Sequence, residues 1–198
     1  MPARPISRLC VFCGSKHGIR PEFAAAARGL GVLLAEEGIT LVYGGGRVGL
    51  MGVMADAVLE KGGDVIGVIP HALDTKELAH TGLSEMHVVD TMHERKALMA
   101  DLADGFISLP GGLGTFEESF EIVTWAQLGI HAKPCGLLNV AGYFDKLIEF
   151  LDHAVEAQFI KPQHRDLILV DGDQRRLLER MRAFSSPVTE KWIRQENR

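Results

Sequence analysis

Residues 109–118 read LPGGLGTFEE and join the end of an apolar strand to a glycine-rich turn and the first turn of a helix. Glycines let the backbone approach a ligand closely, and the free N–H groups and the dipole at a helix start favour an anion. Thr115 adds a hydroxyl donor, and Glu118 adds a carboxylate within a few residues of the anion. The two side chains could instead act only as helix caps, but capping does not require three glycines. The stretch therefore predicts a phosphate-binding turn with an acid beside it.

Strand-like apolar runs alternate with helical patterns along the chain. The strand-like runs fall at about 8–13, 39–43, 64–70, 86–90, 104–109, 134–138 and 166–170, and the helical patterns at about 21–37, 49–62, 91–103, 114–130, 143–157 and 173–184. This alternation predicts an α/β fold: a single-domain, Rossmann-like, doubly wound parallel sheet of about seven strands with helices on both faces. We expect one nucleotide-binding domain over residues 1–184 and a charged C-terminal tail over residues 185–198.

The composition is that of an ordinary globular domain. The chain has 198 residues, of which 46% are hydrophobic, and a formal net charge of −5 at pH 7. Lys and Arg are scattered rather than clustered, so no nucleic-acid partner is expected. No run of about 18 apolar residues is present, and residues 1–7 lack the apolar core of a signal peptide. We therefore expect a soluble, cytoplasmic protein with no membrane partner.

The cysteines predict core positions rather than redox chemistry. Cys10 and Cys13 form a C-x-x-C pattern, but they lie within the apolar run LCVFC. Residues three apart in a strand point to opposite faces, so the two thiols are not expected to pair. Cys135 lies alone in another apolar run and is also predicted to be buried.

A second glycine-rich segment, YGGGRVGLMG at residues 43–52, follows the second predicted strand. Its glycines fit the G-x-G-x-x-G spacing of dinucleotide-binding enzymes, but no acid follows the next strand to bind the ribose, so NAD is disfavoured. A third turn, Gly14-Ser15, follows the first strand. Loops at the carboxyl ends of parallel strands meet at one edge of the sheet, where ligands bind. Gly14, Ser15, Gly45 and Gly46 are therefore predicted to line a nucleotide-sized pocket with the phosphate-binding turn.

The helix that starts near Met92 supplies positive charge to this edge. At 100° per residue, Met92, Arg95, Lys96 and Met99 share one side of the helix. Both cations could simply extend to water. Arg95, however, lies shortly before the strand that leads to the phosphate-binding turn, so the helix can place it at the same edge. A guanidinium there would bind a phosphate or a carboxylate with two parallel hydrogen bonds.

The helix after the turn is predicted to have two different faces. Phe116, Phe120, Val123 and Ile130 fall within a narrow arc and are expected to pack on the sheet, whereas Glu118, Ile122 and Trp125 lie on the opposite side. An outward Trp near an acid needs a cover, and a second subunit is the simplest one. The pattern therefore predicts a homodimer with the site near its two-fold axis.

These segments resemble those of the LOG ("lonely guy") family of cytokinin riboside 5′-monophosphate phosphoribohydrolases, whose members are often labelled lysine decarboxylases. The shared motifs are the CGS turn at 13–15, YGGG-x-x-GLMG from Tyr43, the Arg95-Lys96 pair, PGG-x-GT-x-x-E at 110–118 and TWAQLGIH-x-KP at 124–134. The resemblance covers nearly the whole chain.

The resemblance implies hydrolysis of the N-glycosidic bond of an adenosine 5′-monophosphate, often N6-prenylated, to a free base and ribose 5-phosphate. It implies that Arg95 and Glu118 are the catalytic pair. It also implies nucleotide contacts from Glu77, Lys96, Thr124 and the turn residues Gly111, Gly112, Leu113, Gly114, Thr115, Phe116 and Glu117.

The residues themselves fit this chemistry. Cleavage at C1′ builds positive charge on the ribose, which a nearby carboxylate stabilises directly or through deprotonation of the attacking water. Glu118 suits either role, with Glu117 and Glu121 as rivals, while Arg95 would neutralise the phosphate or steer the leaving base.

Other chemistries are disfavoured. No histidine pair has metal-ligand spacing, and no lysine stands out for a Schiff base with pyridoxal phosphate, so neither a metal nor a cofactor is expected. The alternative function is a non-catalytic carrier of a nucleotide or of a molybdopterin-type phosphate ligand. A carboxylate beside the phosphate argues against a mere carrier, because it repels the ligand.

Overall fold

The computed structural model describes residues 5–74 and 79–188, which form seven strands and seven α-helices. The strands are β1 (Arg8–Phe12), β2 (Thr40–Tyr43), β3 (Val65–Pro70), β4 (Glu85–Val89), β5 (Gly105–Ser108), β6 (Cys135–Leu138) and β7 (Ile168–Asp171). The helices are α1 (Pro21–Glu36), α2 (Gly49–Glu60), α3 (Met92–Leu102), α4 (Leu113–Gln127), α5 (Asp145–Glu156), α6 (Pro162–Arg165) and α7 (Gln174–Arg182). Short 3₁₀ turns cover His71–Leu73 and Val140–Gly142.

The strands form one parallel sheet in the order β4-β3-β2-β1-β5-β6-β7. The chain runs outward from β1 to β4 and then returns to place β5 on the other side of β1, where Leu9 pairs with Gly105. The switch point of the sheet, at which open α/β folds bind ligands, therefore lies between β1 and β5. The doubly wound α/β fold is confirmed, and of the described helices only the four-residue α6 lacks a predicted counterpart.

Helices cover both faces of the sheet. One core cluster joins the sheet to α1, α2 and α7, with Leu34, Met54 and Met181 fully buried. The other joins the sheet to α3 and α4, with Met99 and Ile122 buried. Two covered faces explain why the central strands are apolar along their whole length.

The three cysteines are buried free thiols, as predicted. Burial raises the pKa of Cys10, Cys13 and Cys135 well above the ordinary thiol value. Thiols in this state are weak nucleophiles and behave as small apolar side chains.

Helix α4 packs most closely on the sheet through Ile122 and through small residues. Its buried residues are Thr115, Ile122 and Ala126, and the hydroxyl groups of Ser108 on β5 and Ser119 on α4 hydrogen-bond at 2.6 Å. Small side chains on this face allow the helix to approach the sheet closely, as dense packing requires. The predicted outward position of Ile122 is therefore wrong, because this residue is only 2% exposed.

The predicted sheet-facing side of α4 is partly correct. Phe116, Phe120 and Val123 line an apolar cavity that is also lined by Phe106 on β5 and Leu137 on β6, and Val123 packs against the buried cluster on that face. Phe120, however, is 38% exposed. Trp125 is half-buried against the core cluster beneath α3 and α4. The outward apolar face formed by Ile122 and Trp125, from which the sequence predicts a dimer, does not exist.

The long connection between β3 and β4 is tied to the turn after β2. Gly46 forms an antiparallel bridge with Ala79, and the His80 N–H donates to the Gly45 carbonyl at 2.9 Å. The His80 ring lies 2.9 Å from a carboxylate oxygen of Asp56 on α2. These contacts give Gly45 and Gly46 a structural role at the sheet edge.

Two predictions concern segments at the limits of the described chain. Glu77 lies outside the described residues, and of the predicted tail over residues 185–198 only residues 185–188 are described. Within residues 5–74 and 79–188, no helix is long and apolar enough to cross a membrane.

Candidate active site

Three loops meet at the carboxyl edge of the sheet, beside the switch point. The Gly14 N–H donates to the Pro110 carbonyl at 3.0 Å, and the Leu50 N–H donates to the Gly14 carbonyl at 3.0 Å. A Cβ on Gly49 would come within 2.2 Å of the Ser15 backbone, so this close approach requires glycine. The loops that follow β1, β2 and β5 are thereby held together.

The loops line an open cleft of about 290 Å³, close to the lower end of the volumes of ligand sites. Eight of the predicted site residues line this cleft: Gly14, Ser15, Arg95, Gly112, Leu113, Gly114, Thr115 and Glu118. The apolar part of the lining includes Met51, Met92 and Met99. The structure thus brings together the predicted catalytic pair, the phosphate-binding turn and the turn after β1.

The glycines of the phosphate-binding turn are of two kinds. Gly111 is required by packing, because a Cβ there would lie 2.1 Å from Thr115 Oγ1 and 2.9 Å from the Gly14 nitrogen. Gly112 and Gly114 have nothing within 4 Å of an added Cβ, and neither has a positive φ. The protein itself therefore does not require glycine at these two positions, and the open space beside them is available to a ligand.

The first turn of α4 presents uncapped backbone donors to this space. Its N-cap residue is Gly112, and among the described residues no side chain caps the helix. Thr115 and Glu118 therefore do not act as helix caps. N–H groups at an uncapped helix start, together with the helix dipole, form an anion-binding position.

Glu118 is a buried carboxyl group on the cleft wall, and its side chain is 13% exposed. Burial raises the pKa of Glu118 to about 7, since Arg95 and Lys96 offset only part of the desolvation and the charges of Glu117 and Glu121 add to it. A group with this pKa gives or takes a proton readily near neutral pH, which general acid–base catalysis requires.

Arg95 faces Glu118 from α3. Its Nη2 is 3.7 Å from Glu118 Oε1, and the Arg95 side chain is 11% exposed. The start of α3 is fixed, because the Thr91 hydroxyl accepts from the Glu94 N–H at 3.1 Å and the Glu94 carboxylate accepts from the Asp90 N–H at 2.9 Å. At 3.7 Å the two charged groups attract without a hydrogen bond, so the guanidinium can still engage an anionic ligand.

Lys96 does not line the cleft, although the resemblance implies a nucleotide contact there. The residue is 8% exposed, and its Nζ donates to Glu117 Oε1 at 2.5 Å and to Glu121 Oε1 at 3.0 Å. Burial lowers the pKa of Lys96, but the two hydrogen bonds outweigh this effect and place it above the ordinary value. Both rivals to Glu118 are thus bound to a charged ammonium group.

Several other predicted contacts also lie away from the cleft. Phe116 lines the apolar cavity on the opposite flank of α4, and Thr124 is exposed on the face of α4 that also carries Glu117. Gly45 and Gly46 are not among the residues that line the cleft.

Sequence reasoning missed Cys13, Gly44 and Met51, which line the cleft. Gly44 directly follows β2, so its position at the carboxyl end of a central strand is a signal that could have identified it. Within residues 5–74 and 79–188, no group of three or more His, Cys, Asp or Glu side chains is placed to hold a metal ion.

Comparison with protein families and characterised proteins gives consistent matches. A family model described as "possible lysine decarboxylase" matches residues 51–181. A probable cytokinin riboside 5′-monophosphate phosphoribohydrolase of Oryza sativa subsp. japonica is 50% identical over 178 residues, which cover 90% of this chain and 71% of that protein. Cytokinin riboside 5′-monophosphate phosphoribohydrolases of Arabidopsis thaliana and Rhodococcoides fascians are 48% and 49% identical, over 92% and 86% of this chain and 84% and 87% of theirs.

Solved structures share the fold at much lower identity. A molybdenum cofactor binding protein from Rippkaea orientalis superimposes with a TM-score of 0.67 at 19% identity, over 91% of this chain and 98% of that one. The molybdenum cofactor carrier protein of Chlamydomonas reinhardtii gives a TM-score of 0.67 at 20% identity, over 91% of this chain and 100% of that one. These matches support the architecture alone.

Proposed function

The chain belongs to the LOG family of cytokinin riboside 5′-monophosphate phosphoribohydrolases, and we propose that it hydrolyses the N-glycosidic bond of an adenosine 5′-monophosphate to a free base and ribose 5-phosphate. The observation that carries this proposal is the position of Glu118. A buried carboxyl group with a pKa of about 7 lies in the same cleft as an uncapped, glycine-rich helix start.

The phosphate-binding turn anchors the substrate away from the reacting bond. The backbone of Gly112, Leu113, Gly114 and Thr115 would hold the 5′-phosphate in the open space beside the two unconstrained glycines. Binding energy realised at the phosphate then orients the ribose against Glu118, and such orientation lowers the barrier at the reacting centre.

Glu118 acts on the ribose. As the C1′–N9 bond breaks, positive charge develops on the sugar, and the Glu118 carboxylate stabilises this charge or takes a proton from the attacking water. Both roles need the ionised form, so activity depends on deprotonation of Glu118. Arg95, 3.7 Å from Glu118, supports that ionised form and supplies a cation for the phosphate or for the leaving base.

Neither alternative activity is favoured by the cleft. A decarboxylase that uses pyridoxal phosphate needs a lysine for a Schiff base. None of the described residues that line the cleft is a lysine, and Lys96 is held by two carboxylates. A carrier has no use for a buried acid beside its phosphate ligand, because the carboxylate would repel it.

Helices α4 and α5 expose apolar side chains at the surface, since Phe120 is 38% and Phe150 is 64% exposed. We infer from these side chains that the protein is a homodimer. A Phe150→Glu variant should be monomeric by light scattering, and a wild type that is monomeric at micromolar concentration would contradict the inference.

We place the reaction in the cytoplasm, because the three cysteines are free thiols, as in proteins of reducing compartments. We expect a nucleotide partner and no nucleic acid.

The test of the proposed function is incubation with AMP and with isopentenyl-AMP, followed by chromatography of the free base. Release of base from either nucleotide supports the proposal, and the ratio of the two rates identifies the preferred N6 group. The matching nucleosides are the control, because without the phosphate they should be cleaved at least about tenfold less efficiently. Nucleotides that stay intact would contradict the proposal.

A further inference from the structure

Lys96 is buried between two helices and bonded to two acids at once. Its side chain is 9% exposed, and its ammonium lies 2.5 Å from Glu117 and 3.0 Å from Glu121. The other oxygen of Glu121, Oε2, is buried and has no hydrogen-bond partner in the described part of the chain. Among the described residues, the ion pair of Glu121 is with Lys96, which it shares with Glu117.

The two acids flank Glu118 on the same helix. Glu117 precedes Glu118 directly, and Glu121 follows it by three residues, which places it within one turn on the helix surface. Without a cation, three neighbouring carboxylates would repel one another and disfavour the ionised form of each.

Lys96 is also the residue next to Arg95. The lysine is bonded to α4 and the arginine faces Glu118 on α4, so the two cations hold α3 beside the catalytic carboxylate. An ammonium group has three N–H donors, and Lys96 donates two of them to Glu117 and Glu121. An ammonium buried in this way is poorly placed to bind a phosphate in the cleft.

We propose that Lys96 is a positioning residue for Glu118: it offsets part of the negative charge of Glu117 and Glu121, fixes α3 against α4 and makes no contact with the nucleotide. This inference rests on the proposed function, because it concerns the same catalytic carboxylate. It assigns the lysine of the Arg-Lys pair to the helix interface instead of to the substrate.

Removal of the Lys96 charge and removal of the Glu117 charge should shift the ionisation of Glu118 in opposite directions. The charged groups around Glu118 are Arg95 and Lys96 on α3 and Glu117 and Glu121 on α4, while the buried thiols of Cys10 and Cys13 on the β1 side are neutral. Loss of the Lys96 charge should make Glu118 harder to ionise. Loss of the Glu117 charge should make it easier to ionise.

The experiment compares the pH dependence of kcat/KM in wild type, Lys96→Met, Glu117→Gln and the triple variant Lys96→Met/Glu117→Gln/Glu121→Gln. The acid limb of this profile is the rise of kcat/KM with pH as Glu118 ionises. We expect the limb to move to higher pH by at least about half a pH unit in Lys96→Met and to lower pH in Glu117→Gln. The triple variant, in which all three charges are removed together, should return towards the wild-type limb. KM for AMP at the pH plateau should change by less than about threefold in Lys96→Met. Lys146→Met, which removes an exposed lysine paired with Glu149 on α5, is the matched control and should leave the limb unchanged.

Two results would overturn the proposal. An unmoved limb with KM raised tenfold or more in Lys96→Met and in the triple variant would mean that Lys96 binds the substrate. An unmoved limb with a lower Tm alone would mean that Lys96 only braces the helices. If Lys96→Met does not fold, Glu117→Gln still tests the proposal, because its acid limb must then move to lower pH. An unmoved acid limb in Glu117→Gln would overturn the proposal.

A second measurement separates this inference from the proposed function. The difference in unfolding free energy between each protein and its Glu118→Gln counterpart, followed against pH, reports the ionisation of Glu118 without any turnover. A shift in this difference for Lys96→Met supports the positioning role even if no nucleotide is hydrolysed. The absence of any shift contradicts the positioning role even if AMP is cleaved.

Discussion

The guanidinium of Arg95 lies against the backbone of Gly44, so closely that a Cβ on Gly44 would come within 1.9 Å of Arg95 Nη2. Gly44 directly follows β2, whereas Arg95 belongs to α3, which follows β4 in the chain. The contact fixes the side of the cleft on which the cation lies. Glycine is needed here for space and not for conformation, because the φ of Gly44 is not positive.

Replacing Gly44 by Ala should therefore displace Arg95 without unfolding the protein. The atom that the new methyl group meets is the end of a flexible side chain, so the guanidinium can move away at little cost in stability. We expect kcat/KM for AMP to fall by about tenfold or more, in line with the loss of one charged hydrogen bond, while Tm changes by no more than a few degrees. Gly82→Ala is the control, because the nearest atom to its Cβ is 3.4 Å away. Full activity in Gly44→Ala would show that the position of Arg95 is not critical.

Gly114→Ala should make the protein slightly more stable but weaken its binding of AMP. Gly114 is the second residue of α4 and has nothing within 4 Å of an added Cβ. Alanine in a helix is more stable than glycine by roughly 0.5–1 kcal/mol, so Tm should rise slightly. The same methyl group would occupy the space assigned to the phosphate, so KM for AMP should rise by about tenfold. If the variant is more stable and equally active, the phosphate does not bind beside Gly114.

Arg95→Ala should weaken AMP more than adenosine. A guanidinium–phosphate contact contributes roughly 1.5–3 kcal/mol, and only the nucleotide loses it. Because Arg95 lowers the pKa of Glu118, the acid limb of kcat/KM should also move to higher pH in this variant. Calorimetry with both ligands and a pH profile provide the measurements, with Arg28→Ala, an exposed arginine paired with Glu60, as the control. Equal weakening of the two ligands would place Arg95 at the base or the ribose.

Glu118→Gln should stabilise the protein at high pH. Burial raises the pKa of Glu118 to about 7 in the folded protein, above the value of about 4.3 for an exposed glutamate. The folded state therefore keeps a proton that the unfolded state has lost, and the wild type loses stability as pH rises from about 4.5 to about 7. The glutamine variant has no such loss. It should match the wild type below about pH 4 and exceed it by up to about 3 kcal/mol above pH 7. Denaturant unfolding at several pH values measures this difference in unfolding free energy. If the difference between wild type and variant is the same at every pH, the pKa of Glu118 is not raised in the folded protein.

The sequence predicts the strands, the long helices and the approximate place of the site, because these depend on local apolar patterns and on the rule that loops meet at the carboxyl edge of a parallel sheet. It predicts the outward face of α4 incorrectly, because Ile122 is buried and Trp125 is half-buried. Apolar residues occur all round this helix, so periodicity alone does not say which of them meet the sheet. The small residues Ser119 and Ala126 decide the orientation, since they allow close approach to β5.

The contacts between distant segments are the other part that the sequence does not reveal. Lys96 and Glu121 are 25 residues apart, and Gly44 and Arg95 are further apart still, so each pair depends on how the helices pack. Two glutamates one turn apart on α4 do indicate a partner of positive charge. Which of the two neighbouring cations meets them, and which faces the cleft, depends on the rotation of α3.

A product balance with purified wild type and Glu118→Gln, using isopentenyl-AMP at pH 8, tests directly whether Glu118 catalyses N-glycosidic cleavage. The wild type should release free base and ribose 5-phosphate in equal amounts. The Glu118→Gln variant should bind the nucleotide with an affinity within about threefold of the wild type and release neither product, because the amide keeps the shape of the side chain but cannot stabilise the developing cation. Normal turnover by Glu118→Gln would show that Glu118 is not the catalytic carboxylate, and release of inorganic phosphate and nucleoside by the wild type would show that the N-glycosidic bond is not the bond cleaved.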